Sequence, residues 1–94
     1  MKVKFHPAAA DDLDSIFSRI AEDNPRAARE LIARIEAKVM RLATPELTYM
    51  GRVGQVQGTR ELVEYPYIIV YHVLEEAEEV VVVAVVHGAR DRTP

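Results

Sequence analysis

Hydrophobic and polar residues alternate at the start of the chain and then adopt a helical period. Val3 and Phe5 alternate with lysines, which predicts a short first strand that ends at His6-Pro7. Between residues 8 and 23, apolar positions recur every three or four residues, as they do on one face of a helix. This predicted first helix carries its apolar stripe at Leu13, Ile16, Phe17 and Ile20.

A second helical pattern begins at Asn24-Pro25, because asparagine is a favourable N-cap and proline fits the first helical position. Since few residues separate the two patterns, they predict an antiparallel helical hairpin whose stripes face one core. The second stripe consists of Ala28, Leu31, Ile32, Ile35, Val39 and Leu42.

The second half of the chain changes to strand patterns. Thr44-Pro45 ends the second helix, and residues 46–58, with three glycines and little periodicity, predict a long surface loop. Strand patterns follow at residues 59–65, 67–74 and 80–87. We therefore predict an α+β fold of order β-α-α-β-β-β, with an N-terminal strand and a two-helix hairpin packed on a C-terminal three-stranded antiparallel meander.

The composition is that of one small globular domain spanning residues 1–94. Hydrophobic residues make up 49% and charged residues 29%, unlike disordered or membrane-embedded chains. The longest apolar run, residues 80–86, is far shorter than the roughly 20 residues of a membrane span, and residues 1–7 lack the apolar core of a secretory signal. Because cysteine is also absent, we expect a cytoplasmic protein with no membrane partner.

Charge and motifs argue against several classes of function. A formal charge of −3 and a pI near 5.6 disfavour a nonspecific nucleic-acid coat, and we expect no direct sequence-specific nucleic-acid binding. His6, His72 and His87 lack metal-ligand spacing, so we expect no metal site. The chain has no glycine-rich phosphate-binding motif, and we expect no cofactor.

The candidate functional residues lie near predicted strand ends. Arg60 begins one strand, His87 ends another, and Arg90 and Arg92 follow, so we expect the four to converge on one edge of the meander. Structural ion pairing is an alternative role for Arg60, and a rim position without chemistry is an alternative for His87. Three tyrosines offer a platform for stacking bases, but packing across the sheet is the favoured interpretation of Tyr65, Tyr67 and Tyr71.

Several short motifs are typical of one protein family. They are Asp23-Asn24-Pro25 with Ala27-Ala28, Gly51-Arg52, the Gly-Thr-Arg-Glu-Leu run at 58–62, the Tyr-Ile-Ile-Val-Tyr run at 67–71 and the His-Gly-Ala-Arg run at 87–90. Together with the order of elements, they make nearly the whole chain resemble the RelE/ParE toxin superfamily. These are the small growth-arresting toxins of bacterial type II toxin–antitoxin and plasmid-stabilisation modules.

Two activities occur among the proteins that the chain resembles: RelE-like members cleave messenger RNA in the ribosome, and ParE-like members inhibit DNA gyrase. Ile68 stands where the RelE-like pattern has an arginine, and no tyrosine ends the chain. Glu61 and Glu64 stand where ribosome-directed toxins tend to carry lysines. The ending from His87 to Asp91 is typical of the ParE-like branch, so we expect an inhibitor that binds gyrase and is not an enzyme.

The resemblance also implies two binding surfaces. Contacts with the target, DNA gyrase, are assigned to Arg52, Arg60, His87, Arg90 and Arg92. Contacts with a cognate antitoxin, within a toxin–antitoxin hetero-oligomer, are assigned to Leu31, Arg34, Met40 and Arg41. Two alternatives stay open: a non-toxic homologue that retains antitoxin binding, and an mRNA endonuclease that uses Arg60, His87 and Arg90.

Overall fold

Two helices pack on one face of a five-stranded sheet. The computed structural model describes residues 1–89. The helices are α1 (Pro7–Ala21) and α2 (Pro25–Met40), 3₁₀ turns follow at Arg41–Ala43 and Pro45–Leu47, and the strands are β1 (Lys2–Phe5), β2 (Arg52–Val53), β3 (Arg60–Glu64), β4 (Tyr67–Leu74) and β5 (Glu79–His87). The predicted α+β class, with its helical hairpin and C-terminal meander, is confirmed.

Both helices begin at side-chain caps. His6 Nδ1 accepts a hydrogen bond from Ala8 N at 3.0 Å, and Asn24 Oδ1 accepts one from Ala27 N at 3.0 Å. A proline occupies the first turn of each helix, where its missing N–H leaves no hydrogen bond unmade. These local signals explain why the helix starts lie within a residue of the predicted positions.

The strands are arranged in the order β1-β5-β4-β3-β2. The strands β3, β4 and β5 form the predicted antiparallel meander. Strand β1 lies parallel to β5, with Val3 opposite Val80, and the chain between them, which contains both helices and strands β2 to β4, supplies the long connection that parallel neighbours need. Lys4 Nζ also pairs with Glu79 Oε2 at 2.7 Å, which fixes β1 at the edge.

The predicted surface loop before β3 is more ordered than its sequence indicated. It contains the second 3₁₀ turn and the two-residue strand β2, which pairs antiparallel with β3. Arg52 lies opposite Glu61 in this register, and Val53 lies opposite Arg60. The loop is therefore an edge of the sheet, and its register is set by β3.

The core lies between the helices and the sheet. It is built from α1 and α2 side chains packed on alternate residues of β3, β4 and β5. Leu31, an expected antitoxin contact, is 6% exposed and packs in this core, so little of its side chain is accessible to a partner. The largest fully buried side chains of the core include Tyr71, Ile35, Leu42 and Ile69.

No helix within residues 1–89 is long and apolar enough to cross a bilayer.

Candidate functional site

The end of the sheet where β3 begins, called here the loop end, is held together by one buried tyrosine. Tyr71 is 0% exposed, and its hydroxyl accepts a hydrogen bond from Gly51 N at 3.1 Å and donates one to Thr48 O at 3.0 Å. A Cβ at position 51 would lie 2.7 Å from both the Tyr71 hydroxyl and Glu61 O, so only glycine allows this approach. Tyr71 thereby fixes the loop against the sheet.

Arg60, an expected target contact, braces the same loop. Its Nε donates to Gly51 O at 2.9 Å, and its guanidinium carbon lies 5.6 Å from the centre of the Tyr49 ring. The residue is half-buried. These contacts within the chain support a structural role for Arg60.

Tyr49 ties the loop to the turn between β4 and β5. Its hydroxyl donates a hydrogen bond to the Glu75 carboxylate. That hydrogen bond is the main reason the pKa of Tyr49 is raised above its usual value, with desolvation and the Glu75 charge adding to it. Tyr49 is 45% exposed, so this contact lies at the surface of the loop end.

Arg52, a second expected target contact, pairs with a buried acid. Arg52 Nε lies 3.2 Å from Glu61 Oε1, and Gln55 N donates to Glu61 Oε2 at 3.2 Å. The Glu61 side chain is 1% exposed, whereas that of Arg52 is 56% exposed. Because a buried carboxylate is destabilising without a partner, Arg52 contributes to folding by neutralising Glu61.

The opposite end of the sheet, called here the tail end, contains His87. Its ring meets Tyr67 edge-on, with centroids 5.5 Å apart and planes at 81°, and its Nδ1 accepts from Ala89 N at 3.2 Å. Gly88 N donates to Pro66 O at 2.9 Å, and a Cβ at position 88 would lie 3.3 Å from Ile68 Cδ1. His87 and Gly88 thus hold the end of β5 against the start of β4, next to Ile68.

The two ends are far apart, and the expected convergence of Arg60 and His87 is wrong. Arg60 lies opposite Tyr71 and Tyr71 opposite Val82, whereas His87 lies opposite Tyr67. The two positions are therefore five residues apart along β5, which is about 17 Å at the usual strand rise. The reason is topological: β3 and β5 run in the same direction on either side of β4, so the start of one is remote from the end of the other. Arg90 and Arg92 lie outside the described residues.

The expected antitoxin contacts on α2 fall on different faces. Arg34 Nε lies 3.4 Å from Glu64 Oε2, beside Lys38, whose Nζ lies 3.2 Å from Glu64 Oε1. Arg41, the first residue of the 3₁₀ turn after α2, is exposed. Met40 is 55% exposed and lies about 120° around the helix from Arg34. Helix α2 therefore presents a basic side next to β3, and the exposed Met40 lies on a different side.

Within residues 1–89, no three histidine or carboxylate side chains are grouped so that they could hold a metal ion.

A family model for the ParE toxin of the type II toxin–antitoxin system parDE matches residues 3–92. The chain belongs to this family. The predicted toxin Y4kP of Sinorhizobium fredii (strain NBRC 101917 / NGR234) is 38% identical over 79 residues, which cover 82% of this chain and 80% of that protein. The match to the ParE toxin family thus extends over almost the whole sequence.

Solved structures share the ParE-type fold described above. The chromosomal ParDE system from P. aeruginosa contains a chain that superposes with a TM-score of 0.80 at 24% identity, covering 93% of this chain and 95% of that one. The isolated E. coli RelE toxin superposes with a TM-score of 0.65 at 15% identity, covering 97% and 87%. A chain of the RelBE2 toxin–antitoxin complex from Mycobacterium tuberculosis gives 0.65 at 22% identity, covering 92% and 88%. At these identities the likeness establishes the fold.

Sequence reasoning overlooked the residues that organise the loop end. Tyr71 is predicted as a packing residue, and nothing in its strand pattern indicates that its hydroxyl holds Thr48 and Gly51. A charged residue such as Glu61 is expected to face solvent in a half-exposed strand, yet Glu61 is buried. The available signal is the glycine-rich loop itself, since a close backbone approach requires a glycine such as Gly51.

Proposed function

We propose that this protein is the toxin of a type II toxin–antitoxin module and arrests growth in the cytoplasm by binding DNA gyrase stoichiometrically. The family match over residues 3–92 is the observation that carries the proposal. The target surface includes the exposed part of Arg52 together with His87 and the following Arg90 and Arg92. This toxicity would stabilise the inheritance of the plasmid or chromosomal segment that carries the module.

Two features of the described residues support inhibition by binding over RNA cleavage. Ile68, at the position where the RelE-like pattern has an arginine, is 6% exposed and packs against Gly88. Arg60 and His87 lie at opposite ends of the sheet, so one scissile phosphate cannot contact both. A charged transition state at phosphorus needs cations and proton carriers in a single place.

A cognate antitoxin is the second partner we propose. One of the similar solved structures is a toxin–antitoxin complex, RelBE2 from Mycobacterium tuberculosis. On this chain, the exposed side chains of Arg34 and Met40 on α2 and of Arg41 just after it offer two basic groups and one apolar group to such a protein. The two proteins would form a hetero-oligomer.

The decisive experiment measures supercoiling by purified gyrase with and without this protein, and detects trapped DNA breaks. We expect loss of supercoiling and accumulation of breaks near one-to-one stoichiometry. Topoisomerase I relaxation in parallel controls for general DNA effects. Unchanged supercoiling and no breaks at stoichiometric excess would overturn the gyrase proposal.

Two further measurements separate the alternatives. Incubation with translating ribosomes, followed by mapping of RNA ends, is expected to give no position-specific cuts; such cuts would identify an endonuclease. Induction of the gene alone is expected to arrest growth, and co-expression of the neighbouring antitoxin gene is expected to restore it. Normal growth after induction would identify a non-toxic homologue.

A further inference from the structure

A polar cavity of about 260 Å³ lies between α1 and the tail end of the sheet, and His87 is its one lining residue that also belongs to the proposed target surface. Asp12, Ser15 and Arg19 line it from α1, at a spacing that places all three on one face of the helix. Tyr67 of β4 and His87 of β5 line the opposite side. Two hydroxyls, a guanidinium, an imidazole and a carboxylate thus face one small space.

The Tyr67 hydroxyl is the first sign that this cavity accommodates a ligand. Tyr67 is only 5% exposed, and its oxygen receives Arg19 Nη2 at 3.5 Å, the outer limit of a hydrogen bond. Among residues 1–89, no acceptor takes the hydroxyl proton. Because a hydroxyl both donates and accepts, its proton stays available to a group in the cavity that Tyr67 lines.

Arg19 is the second sign, because its charge is not neutralised within the described part of the chain. Arg26, Arg34 and Arg52 each pair with a glutamate, whereas Arg19 makes no salt bridge to any described residue. Its side chain is exposed at the mouth of the cavity. Its fork of N–H groups is suited to an oxyanion with two coplanar oxygens.

Asp12 limits which oxyanion fits. Its Oδ2 accepts a hydrogen bond from Val85 N at 2.9 Å, which ties α1 to β5 and holds the carboxylate at the cavity wall. A doubly charged phosphate placed beside this carboxylate would be repelled more strongly than a singly charged group. The Asp12 carboxylate therefore favours a monoanion.

We propose that this cavity binds a carboxylate, with the Arg19 guanidinium and the Tyr67 and Ser15 hydroxyls donating to its oxygens. The carboxylate belongs either to a free small molecule or to an acidic side chain of a polypeptide. The site does not depend on whether gyrase is the target, because none of its donors belongs to the proposed target or antitoxin surfaces.

The test is an NMR titration of the isotope-labelled full chain at constant ionic strength and pH. The probes are acetate, a blocked glycine–glutamate–glycine peptide and inorganic phosphate. We expect saturable shifts of the Ser15, Arg19 and Val85 amides with both carboxylates. Arg19→Gln and Tyr67→Phe should each weaken carboxylate binding about tenfold, since each removes a hydrogen bond to a charged group.

Arg29→Gln is the matched control, because Arg29 is an exposed arginine of α2 that does not line the cavity. It should bind both carboxylates like the unaltered protein. Tighter binding of the peptide than of acetate identifies an acidic side chain as the source, and equal binding identifies a free small carboxylate. No saturable shift, equal weakening by Arg29→Gln and Arg19→Gln, or tighter binding of phosphate than of either carboxylate would overturn the proposal.

Discussion

Tyr71 is the single side chain whose polar atom most directly fixes the loop end. Replacing it with phenylalanine keeps the ring in the core but leaves the Gly51 N–H and the Thr48 carbonyl without their partner. We expect Tyr71→Phe to lower the free energy of unfolding by about 1 to 3 kcal/mol, because buried unsatisfied groups carry a desolvation penalty of that order. Urea unfolding measures it.

The control for Tyr71 is Tyr65, which is 85% exposed. Tyr65→Phe removes the same hydroxyl group from a solvated position and should change the free energy of unfolding by less than about 0.5 kcal/mol. Equal destabilisation by the two substitutions would show that the Tyr71 hydroxyl does not hold the loop.

Tyr49 makes the loop end sensitive to alkaline pH. Its pKa is raised, chiefly by the hydrogen bond to Glu75, so the neutral phenol is favoured in the folded state. Its contribution to stability is therefore fully present below the ordinary tyrosine pKa of about 10, and it is lost as the pH rises through the higher folded-state value. Tyr49→Phe should remove this loss.

Ultraviolet titration of the tyrosines measures the pKa of Tyr49 directly. The difference between the unaltered protein and Tyr49→Phe should give a midpoint above that of free tyrosine. A midpoint at or below the free value would mean that the hydroxyl does not donate to Glu75.

At the scale of elements, the start of α2 depends on its cap. Asn24 Oδ1 accepts from Ala27 N at 3.0 Å, which satisfies one of the free N–H groups of the first turn. Asn24→Ala should lower the free energy of unfolding by about 1 kcal/mol, and Asn24→Ser should restore most of that stability. Urea unfolding compares the three proteins, and an unchanged Asn24→Ala variant would contradict the role of the cap.

The pairing of elements explains which strand predictions succeeded. The apolar run at residues 67–74 predicts a strand, and β4 spans those residues because it lies in the middle of the meander. The short strand β2 has no pattern of its own, since Arg52 and Val53 are both exposed. It exists because Tyr71 and Glu61 hold the loop beside β3.

At the scale of the whole molecule, the proposed toxicity depends on the tail end and the residues after it. We expect Arg90→Ala to weaken growth arrest more than Glu76→Ala, because Arg90 belongs to the ParE-like ending and Glu76 to the exposed turn between β4 and β5. Colony counts after induction at matched protein levels make the comparison. Equal toxicity of the two variants would remove Arg90 from the target surface.

The candidate site was predicted less well than the fold, for a geometric reason. Arg52, Arg60 and His87 were identified as candidates from residue type and position, but their partners are Glu61, the Gly51 carbonyl and Tyr67. Each partner is at least nine residues away in sequence. Side-chain pairing at that separation depends on register, which residue type does not specify.

The sequence by itself determined the elements of this protein and its family, because capping residues, helical stripes and apolar strand runs act over a few neighbours. Only the tertiary structure decided that β1 joins β5, that the loop becomes an edge strand, and that Arg60 and His87 lie at opposite ends of the sheet. It also gathered Ser15, Arg19 and Tyr67 around one cavity. These arrangements depend on strand direction and helix crossover, which bring together residues that are distant along the chain.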